Sequence, residues 1–429
     1  MAFPLRRQSC LHSPTRSDTI WLASLCLCQI FIMLVFINYS AILPLVAVEW
    51  KMSNTQSGMV FSVYQLGYII SGVIFSTLSD RINIKWIFLG AATWSGVMNL
   101  MFATHASDFA SAIIWRGLTG LGMGGTYMPG LKLVAERFDS AWRGRAVGVY
   151  VGALVLGASL SLLVTGTVAS YAGWRSAMMV CSISVFIGTI GSIWVFRGYR
   201  PKPIQRRPDQ TVRQEIFKNK PAMLVIAGYA SHMWEMYGMR GWLAPFFASA
   251  LIQWGMATTK ATALAATIAA GLVGLGTVST AITGGVSDSI GRTKTITLVM
   301  IGSVSCSFIF GWLNATSLSV MIIVGMIYGW LIVAESPVFS TALTELVAPG
   351  YLGAAMGIQS LIGYTMGMIS PTVFGWALDY FKGFELVPGV PANWGVAFVT
   401  VGLGGAIGPF CMILLKRHPD SSRLARGKG

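Results

Sequence analysis

Charge is what this chain has least of. Asp, Glu, Lys and Arg make up 10% of its 429 residues, where a soluble chain carries about 25%. So little polar surface cannot cover a water-soluble globule, and a hydrophobic content of 54% points the same way. Acidic residues are scarcer than basic ones, 15 against 30, for a formal charge of +15. That excess raises nucleic-acid binding as a function. It is excluded because the basic residues sit in short breaks between apolar runs, not on one folded face. The six cysteines (Cys10, Cys26, Cys28, Cys181, Cys306 and Cys411) are scattered, mostly within those runs. Cys26 and Cys28, two apart on a helix, point to opposing sides, so neither a disulfide framework nor a metal pair is indicated. There is no Walker A sequence, nucleophilic triad or phosphate loop. Nothing supports an enzyme, direct ATP use or a bound cofactor.

What is present is a series of apolar runs of 20 or more residues. A bilayer core about 30 Å thick takes about 20 helical residues per crossing, and only helices or closed barrels satisfy every backbone group in lipid. The runs lack a two-residue alternation, so helices are expected. Twelve spans are predicted at 20–47, 57–79, 86–105, 109–135, 146–169, 174–196, 222–249, 261–283, 294–314, 318–344, 352–378 and 392–415. The run after the basic, polar segment 1–18 is too long for a signal peptide. Basic loops favour the cytoplasm. Arg6, Arg7, Arg16, Arg81, Lys85, Arg137, Arg143, Arg145, Arg292, Lys294 and the tail after Lys416 lie on one side, against Lys51, Arg175, Lys260 and Lys382 on the other. Both termini are therefore expected in the cytoplasm.

One long polar insertion divides the chain. It carries eight basic and two acidic residues between Arg197 and Lys220. The expected organisation is a tail (1–19), a six-helix bundle (20–196), a basic linker (197–221), a second six-helix bundle (222–415) and a basic tail (416–429). The halves echo one another. Asp80 after the second span matches Asp288 after the eighth, the run from Gly144 to Gly148 matches Gly353 to Gly357, and Trp174 matches Trp394. Parallel repeats about an axis along the membrane normal are an architecture of secondary transporters.

These residues resemble the major facilitator superfamily across essentially the whole chain. Its signature loop reads G-x-x-x-D-R-x-G-R-K. Here Ser76, Asp80, Arg81, Asn83, Ile84 and Lys85 form a degraded first copy, and Gly284, Asp288, Gly291, Arg292 and Lys294 a better second one. The resemblance implies an all-α integral membrane fold of twelve helices in two pseudo-symmetric bundles, alternating access, and a conformational latch at Asp80, Arg81, Asp288 and Arg292. It also implies a monomer in a bacterial inner membrane or one derived from it. The sequence Arg116 to Gly125 is similar to the family's R-x-x-x-G element. The fifth span lacks the G-P pair of drug/proton antiporters. The stretches His232 to Arg240 and Ala334 to Pro337 look like bacterial carriers grouped with nitrate/nitrite and cyanate porters. Nitrate porters, however, use an Arg in spans two and eight, and this chain has none there.

Ionisable groups at membrane depth cost roughly 2.5–3.5 kcal/mol each on insertion scales, so each is a functional candidate. Arg116, facing a cavity, suits a carboxylate or other oxyanion through its forked donors; structurally it could simply tie span four to its neighbours. His232 and Glu235 lie three apart and share a face of span seven. An acid and an imidazole at that depth can exchange a proton, as a proton-coupled carrier requires. The same pair could instead ligate iron or lock packing. Arg240, about 100° round from that stripe, is a gate candidate. Glu335 precedes Ser336 and Pro337, where proline removes a backbone donor. In the family, spans one, four, seven and ten line the central cavity. Arg116, Glu235 and Glu335 fall on three of these, and Asn38 and Tyr39 on the fourth. The glycines at three-, four- and six-residue intervals permit close helix approach.

The expected function is a secondary carrier for a small polar solute, favoured as an anion by Arg116, with protons and the lipid bilayer as partners and no nucleic acid. One rival is an iron or divalent-metal carrier using His232 and Glu235, as implied by superfamily members of similar length such as the magnetosome protein MamH. Another is a carrier-shaped sensor or scaffold.

Overall fold

Backbone groups within lipid have no water to bond, and the apolar runs meet this by forming helices. The computed structural model describes residues 15–78, 82–138, 140–198, 213–348, 350–383, 385–387, 390–391 and 393–428. The first span is two helices, α1 (Arg16–Met33) and α2 (Asn38–Glu49). Then come α3 (Asn54–Leu78), α4 (Ile84–His105), α5 (Phe109–Arg137) and α6 (Ser140–Val195). The long α6 holds two spans joined at Gly173, whose φ of 81° only glycine adopts readily. The second half runs through α7 (Lys220–Gln253), α8 (Thr258–Ile290) and α9 (Arg292–Phe310). It continues with the pair α10 (Leu318–Ala334) and α11 (Ser336–Leu346), α12 (Leu352–Tyr380), and the pair α13 (Asn393–Gly405) and α14 (Ile407–Lys416). The result is twelve spans in two six-helix bundles. A short antiparallel ribbon, β1 (Glu385–Val387) with β2 (Val390–Pro391), follows α12 and was not expected.

Among the described residues, nine helical stretches are long and apolar enough to cross a bilayer, α6 counting as one. The two spans that fall short in apolarity are α5 and α7, which carry Arg116, His232, Glu235 and Arg240. The outer surface is apolar in helical register. On α6, Ile183, Ile187, Ile190 and Trp194 are all about half exposed or more, one lipid-facing stripe at four- and three-residue steps.

Three spans are broken, and at two of the breaks a serine hydroxyl takes up freed carbonyls. Pro337 cannot continue α10, so Glu335 ends that helix and starts α11. Pro409 follows the α13–α14 break, where the Ser231 hydroxyl donates to the Gly404 and Gly405 carbonyls and accepts from the Gly408 N–H. Between α1 and α2 the Leu34 carbonyl accepts from the Ser161 hydroxyl at 2.6 Å. Such interhelical bonds in lipid are worth about 0.6 kcal/mol each.

Call the side bearing both described chain ends the terminal face and the other the distal face. The bundles meet at the distal face. Asp379, at the end of α12, accepts from the backbone N–H and the side chain of both Asn54 and Thr55 at 2.6–3.0 Å, so the second bundle caps a helix of the first. Ser62 and Thr372 share a hydrogen bond of 2.7 Å, and Ser40 donates to the Gly241 carbonyl. A Cβ on Gly58 would strike the Pro371 backbone, and one on Gly375 that of Asn54. At the terminal face the corresponding glycines Gly72, Gly144, Gly148, Gly353 and Gly357 have nothing among the described residues within 4 Å of such a Cβ. The bundles are therefore joined at one face and splayed at the other.

Candidate substrate cavity and coupling site

The splay opens a cavity of about 390 Å³ between the bundles, lined from α1, α3, α5, α6, α7, α8, α10, α11 and α12. Period selects its α7 wall: Tyr229, Met233, Met236, Tyr237 and Arg240 fall at steps of four, three, one and three, one helical face. Of the described residues lining it, Arg240 alone is charged. It sits beside Tyr237 and Tyr364, and its guanidinium has no hydrogen bond or ion pair among the described residues. Tyr68, Tyr127, Tyr229, Tyr237 and Tyr364 line the same space. Tyr68 of α3 meets Tyr364 of α12 with ring centroids 4.8 Å apart, a contact across the bundles.

The His232–Glu235 face of α7 points the other way, into the second bundle. His232 Nδ1 lies 2.8 Å from Glu335 Oε1, both side chains fully buried. His232 Nε2 and Glu335 Oε2 have no hydrogen-bond partner among the described residues. The pair stands one residue behind the cavity wall, since Ser336 and Pro337 line the cavity and the Tyr229 and Phe339 rings flank the imidazole. The α10–α11 break puts Glu335 there. Glu235 accepts instead from the Ser303 hydroxyl of α9 at 3.1 Å. So His232 and Glu235 share a helix face without meeting, and the imidazole's partner comes from span ten. Among the described residues no group of three or more His, Cys, Asp or Glu could hold a metal ion.

Arg116 is not a cavity residue here. It is fully buried in the first bundle, where Nη1 donates to Asn38 Oδ1 at 2.9 Å and the guanidinium lies 4.5 Å from the Tyr64 ring centroid and 5.7 Å from that of Tyr39. Asn38 passes the chain to Asn99, which donates to the Met178 carbonyl and the Ser182 hydroxyl. Nε and Nη2 of Arg116 remain without a partner among the described residues. Asn38 and Tyr39 thus serve Arg116, and Phe36, packed edge-on against Tyr64, stands between this cluster and the cavity.

In the second latch copy, Arg292 pairs with Asp288 at 2.6 Å and with Glu345 at 3.0 Å. Asp80 and Arg81 lie outside the described residues. Sequence reasoning missed the five cavity tyrosines and Asp379. The signal for the first was available: Tyr229 and Tyr237 lie eight apart on the helix that also carries Arg240. For Asp379 none existed, because its partners are 325 and 324 positions away.

Comparison with known proteins agrees with this architecture. The chain is 25% identical over 389 residues to a "Probable 4-methylmuconolactone transporter" of Cupriavidus pinatubonensis, covering 87% of this chain and 82% of that one. It is 22% identical to the hexuronate transporter of Bacillus subtilis, with 81% and 85% covered. Among solved structures, a bacterial homolog of the human lysosomal transporter Spinster, inward-facing and unoccupied, superposes with a TM-score of 0.73 at 15% identity, covering 94% of this chain and 98% of that one. Residues 25–371 match the profile of the Major Facilitator Superfamily, and the chain belongs to that family of membrane transporters.

Proposed function

We propose that this chain is a proton-coupled carrier of a small organic anion. The observation that carries the reading is the single unpaired guanidinium, Arg240, at the wall of an otherwise uncharged cavity. A buried cation without a partner is costly, and a carboxylate supplies two acceptors in the geometry guanidinium favours. Of the two relatives, one is named for hexuronate, a sugar acid, and the other for 4-methylmuconolactone. An ion as small as nitrate would leave most of the cavity empty. With both termini in the cytoplasm, as the basic loops indicate, the cavity opens inward, and the membrane is the bacterial inner membrane or one derived from it. Bundles at 20–196 and 222–415, working as a monomer, would rock about the cavity.

Coupling falls to His232 and Glu335. Buried together behind the cavity wall, they carry one net negative charge as neutral imidazole and carboxylate and none once a proton is added, and Glu335 sits at the α10–α11 break. Substrate at Arg240 and a proton at this pair would then bias the same helices. Arg116, anchored by Asn38, Tyr39 and Tyr64, is the companion cation of the first bundle, screened in this state. The metal-carrier reading is weakened because Glu235 turns to Ser303 and leaves His232 to Glu335.

A thermal-melt screen of purified protein against organic acids, inorganic anions and Fe²⁺ or Mn²⁺ tests this. A ligand at 100 times its dissociation constant stabilises by about 2.7 kcal/mol. An organic anion should raise the melt of wild type and not of Arg240→Gln. A shift by divalent metal alone would refute the anion reading.

A further inference from the structure

We propose, resting on the anion-carrier reading above, that the substrate is a planar, ring-bearing monocarboxylate of the benzoate type. Charge sets the first limit. Arg240 is the one charged side chain among the described residues of the wall, so a second negative charge on the ligand would be desolvated without a partner. Polarity sets the next. No Asn, Gln, Asp or Glu lines the cavity among the described residues; away from the tyrosines its polar side chains are Arg240, Thr280, Ser336 and Ser340. A polyhydroxylated acid would enter with several hydroxyls and find too few directed partners, and unmade buried hydrogen bonds are expensive.

The walls say what does fit. Five tyrosine rings surround the space, contributed by both bundles: Tyr68 and Tyr127 from the first, and Tyr229, Tyr237 and Tyr364 from the second. Tyr364 is the hinge of the set, with Tyr68 at 4.8 Å and Tyr237 at 6.0 Å between centroids. Ring faces favour offset or edge-on packing with another ring. A flat ring whose carboxylate reaches Arg240 lies against Tyr237 and Tyr364 and parts the Tyr68–Tyr364 contact. The ligand then touches both bundles at once, which links occupancy to their relative position.

Isothermal titration of the full purified chain with benzoate, cyclohexanecarboxylate, galacturonate and phthalate tests this. Benzoate should bind about threefold to tenfold more tightly than cyclohexanecarboxylate, the range of an aromatic pair beyond its buried area, with galacturonate and phthalate weaker still. Tyr364→Leu should erase benzoate's advantage, while Tyr364→Phe, which keeps the ring, should retain it. Galacturonate binding as tightly as benzoate, in an Arg240-dependent way, would overturn the ring preference, and phthalate doing so would overturn the single-charge limit; either would leave the anion reading standing. Equal binding of benzoate and cyclohexanecarboxylate would overturn it likewise. If no carboxylate in the series shows binding that Arg240→Gln removes, both readings fall.

Discussion

Two buried arginines do different work, and substitution should separate them. Arg116 is enclosed by Tyr39, Tyr64 and Asn38; Arg116→Gln strands a buried acceptor and should cost about 1–3 kcal/mol of stability, seen as a lower melt without any ligand. Arg240 is buried with no partner among the described residues, so Arg240→Gln removes an uncompensated charge and should hold or raise the unliganded melt, while weakening anion binding about tenfold or more, as loss of a charged hydrogen bond does. For the coupling pair, removing one partner of a buried ion pair costs about 3–5 kcal/mol. Glu335→Gln, which keeps shape and a hydrogen bond, is therefore the informative change. It should preserve substrate exchange across a vesicle membrane and abolish uptake driven by a pH gradient; gradient-driven uptake at the wild-type rate would remove Glu335 from coupling.

At the scale of elements, closure at one face and splay at the other make separate predictions. Gly148 of α6 and Gly357 of α12 meet nothing within 4 Å at the open terminal face, and closing that face would bring small-residue surfaces together. Gly357→Trp should therefore trap the terminal face open, keeping ligand binding and losing transport; unaltered transport would mean those surfaces never meet. At the distal face, Asp379 caps α3. Burial pushes its carboxyl up, but the donors from Thr55 and Asn54 outweigh this and hold it below the ordinary carboxylate range. A depressed value means that the cap's contribution is present above the usual Asp range and is lost as pH falls through the depressed value. Distal closure should thus be indifferent to pH from neutral to mildly acidic, whereas Asp379→Ala should loosen it at every pH. Cysteine-accessibility labelling at Ser57→Cys would report both.

For the whole molecule, the sequence was a good guide wherever local chemistry decides. Apolar runs predicted the spans, since each helix satisfies its own backbone, and the Asp288–Arg292 pair was legible because its partners are neighbours. Pro337 marked a break through a backbone constraint that needs no partner. What stayed hidden depends on tertiary contact. The spacing of His232 and Glu235 gave a shared face, but only packing shows that α10 supplies the imidazole's partner. Arg116 and Arg240 look alike in sequence, yet one is walled in by tyrosines and the other left free. The central claim is that the free one, Arg240, anchors a carried organic anion. It is tested most directly by uptake of radiolabelled benzoate into proteoliposomes under an inside-alkaline pH gradient. Wild type should concentrate the label, a protonophore should abolish the accumulation, and Arg240→Gln should accumulate about tenfold less or lower still. Equal accumulation by Arg240→Gln, or none by wild type for benzoate and every other carboxylate tried, would contradict the claim.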